Sequence, residues 1–128
     1  MTYLALTTTL ILMQYLFFGA LVAKARLSEA VSAPAVQGSP GFNALYRVHQ
    51  NTLERLVVFL PLLWMAGQFW HASAVATWGA VFLLARHSYW KGYVKSPGDR
   101  KTGNVLTMLV MAGLFLANLL GIARSGMV

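Results

Sequence analysis

Three polar side chains share one face at the start of a long apolar stretch, and their types suit ligand binding. At 100° per residue, Arg47, Asn51 and Glu54 fall within about 60° of one another on a helix. Arg55 lies at the edge of that face, and His49 lies on nearly the opposite side. A guanidinium, an amide and a carboxylate together offer both signs of charge and neutral hydrogen bonds. This combination favours a zwitterionic ligand.

A purely structural role is the alternative interpretation of the same face. Charged side chains near the end of an apolar helix can pair with neighbouring helices or extend their charged ends towards water. Inside a membrane, a charged residue without a partner costs at least about 2.5–3.5 kcal/mol. In either interpretation, the face must therefore contact protein, water or a ligand.

A second stripe of aromatic and polar residues follows later in the chain. On a helix, Phe82, Arg86, Tyr89, Trp90 and Tyr93 fall within about 100° of one another. Aromatic stripes more often indicate packing than binding. Here, however, the stripe includes an arginine and two phenols, and it lies at the same end of the predicted bundle as the first polar face. The two stripes are therefore predicted to share a site.

The segment that follows the second stripe predicts a helix start with an excess of positive charge. Ser96, Pro97 and Asp99 fit a capping box with serine at the N-cap, proline at the first helical position and aspartate at the third. Arg100 then falls in the first turn, where its charge adds to the positive end of the helix dipole and favours an anion such as a thiolate. Alternatively, the cation only sets membrane orientation, which Lys101 would do equally well.

Composition identifies the environment in which these groups act. Hydrophobic residues make up 58% of the 128 residues and charged residues only 10%, while the formal net charge is +7. Such a chain is predicted to be membrane-embedded, which excludes soluble enzymes, nucleic-acid-binding modules and disordered tails. The absence of cysteine excludes disulfides, thiolate metal sites and a protein thiol nucleophile. The histidines at positions 49, 71 and 87 lack metal-ligand spacing, so no metal site is predicted.

Three uncharged segments predict the transmembrane helices. Residues 2–23 and 102–123 each suffice for one span, whereas residues 56–85 contain a polar break at 68–73 and form the inner parts of a helical hairpin. A cleavable signal peptide is disfavoured, because no lysine or arginine precedes the first segment. The prediction is an all-α integral membrane protein, a bundle of four transmembrane helices near residues 2–26, 43–70, 74–95 and 98–124.

The distribution of lysine and arginine predicts the orientation. The first and third connections carry most of the cations, whereas the second connection and the N-terminus have none and the C-terminal tail has only Arg124. Because cytoplasmic loops are enriched in lysine and arginine, residues 31–43 and 95–101 should be cytoplasmic and both termini outside. No organelle signal is recognisable, which favours a bacterial inner membrane.

Taken together, the motifs resemble those of the MAPEG superfamily, the membrane-associated proteins in eicosanoid and glutathione metabolism. The sequence YRVHQNTLE at 46–54 is similar to the family's Arg-x-x-x-Asn-x-x-Glu, and Pro61 and the LWMAG run at 63–67 follow it. ARHSYWKGY at 85–93 and a basic residue seven positions after Tyr93 complete the pattern. The resemblance extends from about residue 24 to residue 100, and helices 1 and 4 match only in character.

The resemblance implies a single membrane domain over residues 1–128 that binds glutathione and assembles as a homotrimer with its site between subunits. The implied glutathione-binding residues are Arg26, Arg47, His49, Asn51, Glu54, Tyr89 and Tyr93. Arg100 would be catalytic by stabilising the glutathione thiolate, and Arg26 would reach the ligand from a neighbouring subunit. The short third connection leaves Lys101 as an alternative to Arg100. Arg55 stands where the leukotriene synthase branch has tyrosine, which argues against that branch's substrate.

The function implied by the resemblance is a glutathione-dependent transferase acting on lipophilic electrophiles, with peroxide reduction as an additional activity. One alternative is a non-catalytic lipid-binding scaffold of the same fold, since the family includes such a member. Another is a small multidrug exporter, which also has four helices. An exporter would be expected to carry a carboxylate in helix 1, where this chain has only Gln14 and hydroxyl groups.

Overall fold

Four α-helices connected by short segments make up the described chain. The computed structural model describes residues 1–126. It contains α1 (Thr2–Glu29), α2 (Pro40–Phe69), α3 (Ala72–Lys95) and α4 (Lys101–Arg124), with a 3₁₀ turn at Pro97–Arg100 before α4. The predicted all-α architecture of four helices is confirmed, and the helix boundaries differ from the predicted ones by a few residues.

The boundaries of α1 and α2 have local causes. α1 continues to Glu29, and Ala30 then adopts a left-handed conformation whose N–H donates to the carbonyl of Arg26. α2 begins at Pro40, earlier than predicted, because the Ser39 hydroxyl accepts a hydrogen bond from the Phe42 N–H at 3.1 Å. A serine N-cap followed by proline is a favoured helix start.

Three helices within residues 1–126 are long and apolar enough to cross a membrane. They are Thr2–Glu29, Pro40–Phe69 and Pro97–Arg124, the last combining the 3₁₀ turn with α4. α3 forms as predicted but is not among these three helices, and Arg86, Lys91 and Lys95 lie in its second half. Membrane-spanning length and composition are therefore shown for three of the four predicted spans.

The core lies between α2 and α3, each of which packs against all the other helices. Phe59 and Phe82 stack at its centre with ring centroids 3.8 Å apart. Near the α2–α3 connection, the Asn118 amide donates to the Leu62 carbonyl at 3.0 Å and so ties α4 to α2. The opposite end, which holds connections 30–39 and 96–100, is called the basic end below.

The predicted capping box before α4 is wrong in its details. Ser96 makes no side-chain cap hydrogen bond, and its carbonyl instead accepts from the Asp99 N–H at 2.8 Å. Because this backbone bond tightens residues 97–100 into a 3₁₀ turn, Arg100 becomes the N-cap of α4 rather than a residue of its first turn. Its guanidinium turns back and donates to the Pro97 carbonyl.

Gly92 of α3 and Gly103 of α4 allow the 3₁₀ turn and α4 to pack closely on α3. A Cβ at Gly92 would lie 2.4 Å from the Asp99 carbonyl oxygen, and one at Gly103 would lie 2.3 Å from the Tyr89 backbone nitrogen. Both obstacles are backbone atoms, so neither site has room for a side chain without moving a helix. The absence of Cβ at these positions therefore places Tyr89 against α4 and the 3₁₀ turn against α3.

We expect Gly103→Ala to lower the melting temperature in detergent by several degrees. The added methyl would press against the Tyr89 backbone, and overpacking of this kind costs about 1–3 kcal/mol. Gly98→Ala is the matched control, because a Cβ at Gly98 meets nothing within 4 Å. Equal melting temperatures for the two variants would contradict the close approach of α3 and α4.

Candidate functional site

A fully buried arginine connects three helices near the basic end. Arg86 of α3 has 0% of its surface exposed. It donates to the Asn51 Oδ1 at 2.8 Å and to the Thr52 hydroxyl at 2.9 Å, both on α2. It also donates to the Thr107 hydroxyl of α4 at 3.4 Å. These acceptors, all within residues 1–126, are neutral oxygens.

The two threonines are oriented to accept from Arg86. The Thr52 hydroxyl donates its own hydrogen to the Val48 carbonyl at 2.7 Å, and the Thr107 hydroxyl donates to the Gly103 carbonyl at 2.8 Å. Each hydroxyl has one hydrogen and two lone pairs, so these bonds leave the lone pairs for the guanidinium. The buried cation is thus held by oxygens whose lone pairs are available to accept its hydrogen bonds.

Contacts continue from Arg86 along α3 to the 3₁₀ turn. The Arg86 guanidinium lies 4.2 Å from the centre of the Tyr89 ring. The Tyr89 and Tyr93 ring centroids are 5.6 Å apart, and the Arg100 guanidinium lies 5.5 Å from the Tyr93 ring. We call Asn51, Arg86, Tyr89, Tyr93 and Arg100 the polar cluster. Four of its members are predicted site residues, and the structure brings them into one continuous chain of contacts.

Arg47 and Glu54 flank the polar cluster on α2. Each is about one helical turn from Asn51, on the same face, as the helical spacing predicts. Both are exposed in the single chain, whereas Asn51 is half-buried. The chain's own helices therefore leave this charged part of α2 uncovered.

Two predicted site residues lie apart from the polar cluster. Arg26 donates to the Val31 and Ala35 carbonyls of connection 30–39, with the latter bond at 2.6 Å. His49 stacks on Tyr15 of α1, with ring centroids 4.6 Å apart. Among the described residues, these hydrogen bonds and this ring contact do not involve the other predicted ligands, so both roles remain predictions that rest on the resemblance.

Arg86 is the residue of the cluster to which the sequence analysis gave no individual role, although it belongs to the stripe predicted to share the site. Its signal was present, because an arginine in the apolar part of α3 shares a face with Tyr89 and Tyr93. The helical spacing grouped Arg86 with an aromatic stripe. It did not identify the residues of α2 and α4 that Arg86 contacts, since these depend on how the helices pack.

Other parts of the described chain offer less chemistry. Within residues 1–126, no group of three or more histidine, cysteine, aspartate or glutamate side chains could hold a metal ion. A cavity between α2, α3 and α4 near the α2–α3 connection is walled by Trp70, Trp78 and small apolar residues. The indole N–H groups of both tryptophans already donate to backbone carbonyls. The polar cluster and the exposed face beside it are therefore the candidate site.

Comparison with known proteins identifies the family. The sequence pattern of the MAPEG family matches residues 4–120, which is most of the chain. The chain belongs to the MAPEG family. This confirms the resemblance that the motifs on α2 and α3 indicate.

Three relatives align with most of this chain. Microsomal glutathione S-transferase 2 of Homo sapiens is 38% identical over 122 residues, which are 95% of this chain and 83% of the relative. Leukotriene C4 synthase of Bos taurus is 39% identical over 97 residues, covering 76% and 65% of the two chains. An uncharacterized protein of Synechocystis sp. is 38% identical over 117 residues, covering 88% and 85%.

Proposed function

We propose that this chain is a glutathione-dependent membrane transferase that acts on lipophilic electrophiles. The observation that carries the proposal is the continuous polar cluster from Asn51 to Arg100, beside the exposed Arg47 and Glu54 of α2. The relatives named as glutathione S-transferase and leukotriene C4 synthase support the same class of reaction. Failure of the intact protein to bind glutathione in calorimetry would overturn the proposal and favour a lipid-binding scaffold.

The charges of the site match those of glutathione, which carries two carboxylates and one ammonium. Glu54 would accept from the ammonium, and Arg47 would bind a carboxylate. Arg26 of a neighbouring subunit would bind the second carboxylate, while Asn51, Tyr89 and Tyr93 orient the peptide. His49 belongs to the proposed site by the family resemblance alone.

The proposed assembly is a homotrimer with the glutathione site between subunits and with α3 as a fourth membrane span. Exposed charges on an otherwise apolar helix need cover, and the single chain does not supply it. A second subunit would provide cover and bring Arg26 to the ligand. We expect a mass of three chains in mild detergent, whereas a monomer or an antiparallel dimer would contradict the shared site.

The proposed location is a bacterial inner membrane with both termini outside. The basic residues of connections 30–39 and 96–100 and their flanks support this orientation. It places the candidate site at the cytoplasmic side, where glutathione would enter from water and the electrophile from lipid. If a reporter that is active only in the cytoplasm shows activity when fused to the C-terminus, this orientation is contradicted.

The proposed chemistry begins with the glutathione thiol losing its proton to water. The Arg100 guanidinium would stabilise the thiolate, which then attacks the electrophilic carbon. A sulfur–carbon bond forms, and the displaced electron pair leaves with the leaving group or is protonated on the substrate. Reduction of lipid hydroperoxides is a second reaction that the same thiolate would support. The thiolate would attack a peroxide oxygen, the O–O bond would break and release the lipid alcohol, and a second glutathione would reduce the oxidised sulfur, giving glutathione disulfide and water.

We expect Glu54→Gln to weaken glutathione binding about tenfold to a hundredfold. A hydrogen bond to a charged group typically contributes about 1.5–3 kcal/mol, and this variant removes the counter-ion of the ligand's ammonium. Isothermal titration calorimetry measures the dissociation constant. Glu29→Gln is the matched control, because Glu29 accepts from the Ser39 N–H in connection 30–39. Equal affinities for the two variants would remove Glu54 from the site.

We expect Arg100→Ala to lower turnover near neutral pH more than it weakens glutathione binding. Loss of the guanidinium raises the pKa of the bound thiol, so the rate should recover as the pH rises. Arg100→Lys should retain part of the activity, because a positive charge remains although the planar group is lost. The pH dependence of kcat measures the loss of turnover and its recovery, and calorimetry measures the change in glutathione affinity.

Lys101→Ala is the control for this experiment, because Lys101 carries the same charge one position later. If Lys101→Ala abolishes turnover and Arg100→Ala does not, the thiolate-stabilising role belongs to Lys101. An unchanged pH–rate profile in both variants would refute activation of the thiol by either cation.

A further inference from the structure

We propose that Arg86 is a positioning residue that fixes the Asn51 side-chain amide with its NH₂ group directed towards the ligand. Asn51 would then act only as a hydrogen-bond donor to an oxygen acceptor of the ligand. This inference rests on the proposed function, since it concerns how the same site recognises glutathione. It adds a role for Arg86 and a direction of hydrogen bonding for Asn51, neither of which the sequence pattern specifies.

The donor inventory of arginine determines how the amide is turned. A guanidinium has five N–H donors and no acceptor. The group of Asn51 that lies 2.8 Å from Arg86 must therefore be the carbonyl oxygen Oδ1. Because the amide is planar, Nδ2 lies at its other end and faces away from Arg86. Asn51 is only half-buried, so this end of the side chain is near the exposed face of α2.

The guanidinium cannot readily turn to release Asn51, because several elements hold it. Its Nε and Nη2 atoms both donate to Thr52, at 3.3 and 2.9 Å, and Nη1 donates to Thr107. The ring of Tyr89 covers one side of the guanidinium, at 4.2 Å. A rotation that broke the bond to Asn51 would also disturb bonds to α2 and α4 in a fully buried environment, where unmade hydrogen bonds are costly.

Because the amide is fixed, Asn51 and Glu54 would bind different parts of the ligand. Glu54 accepts hydrogen bonds, so it suits the ammonium. Asn51 donates through Nδ2, so it suits a carboxylate or a peptide carbonyl. A freely turning asparagine would bind either a hydrogen-bond donor or an acceptor of the ligand. An asparagine held by Arg86 selects against a ligand donor at this position.

A merely structural role for Arg86 is the alternative that the experiment must separate. Asn118 of α4 provides the comparison, because it is also buried and its amide donates to the Leu62 carbonyl of α2 and to the Leu114 carbonyl of its own helix. It lies near the α2–α3 connection, away from the polar cluster. Asn118→Ala should therefore lower the melting temperature without changing the dissociation constant for glutathione.

Asn51→Asp is the decisive variant. It keeps an oxygen towards Arg86 and gives that cation a carboxylate partner, so the melting temperature should be maintained or raised. It also replaces the NH₂ donor by a negatively charged oxygen, so glutathione affinity should fall at least about tenfold. If Asn51 instead accepted from the ligand's ammonium, the same variant would bind glutathione more tightly, and the inference would be overturned.

A double-mutant cycle tests whether Arg86 acts through Asn51. Arg86→Lys retains the charge but not the forked geometry, and it should weaken binding. Combined with Asn51→Ala, it should weaken binding no further than Asn51→Ala alone, since the amide is already absent. Additive losses would refute the positioning role. Because the variants are also compared by thermal unfolding, a loss of stability is distinguished from a loss of affinity.

The same experiments distinguish failure of this inference from failure of the proposed function. If the wild-type protein does not bind glutathione, both the proposed function and the role of Arg86 in binding are overturned. Wild-type binding together with stronger binding by Asn51→Asp, or with additive losses in the cycle, would overturn only the role of Arg86.

Discussion

The structure depends on how a positive charge is accommodated inside an apolar bundle. Arg86 is fully buried, and the hydrogen-bond acceptors described for it are the neutral oxygens of Asn51, Thr52 and Thr107. An ionised side chain at such a position is costly unless its donors are satisfied. The two hydroxyls, the amide oxygen and the Tyr89 ring together satisfy it, and in doing so they fix α2, α3 and α4 relative to one another.

The same accommodation explains the asymmetry of α2. Its inward side supplies Thr52 to the buried cation, whereas Arg47 and Glu54 remain exposed a short distance away. Asn51 belongs to both environments, since its oxygen faces Arg86 and its residue is only half-buried. A structural network and a candidate binding face therefore meet at one side chain. The structural interpretation and the ligand-binding interpretation of the face are therefore compatible.

Much of the fold could be predicted because its causes are local in sequence. Long uncharged segments and helical spacing placed four helices within a few residues of their observed limits, and the same spacing placed Asn51 between Arg47 and Glu54. The prediction was wrong at Ser96, where a backbone bond from Asp99 forms the 3₁₀ turn instead of a capping box. Competition between side-chain and backbone acceptors is too finely balanced for a sequence motif to decide.

The amino-acid sequence by itself determined the helices, the apolar environment and the residues that face the same side of each helix. These properties follow from the helical repeat and from the hydrophobicity of single segments. Only the tertiary structure decided that Arg86 meets Asn51, that His49 stacks on Tyr15 and that Arg100 lies over Tyr93. Such contacts join residues far apart in the chain or groups oriented by packing. They depend on the close approach of helices, as at Gly103, which no single segment encodes.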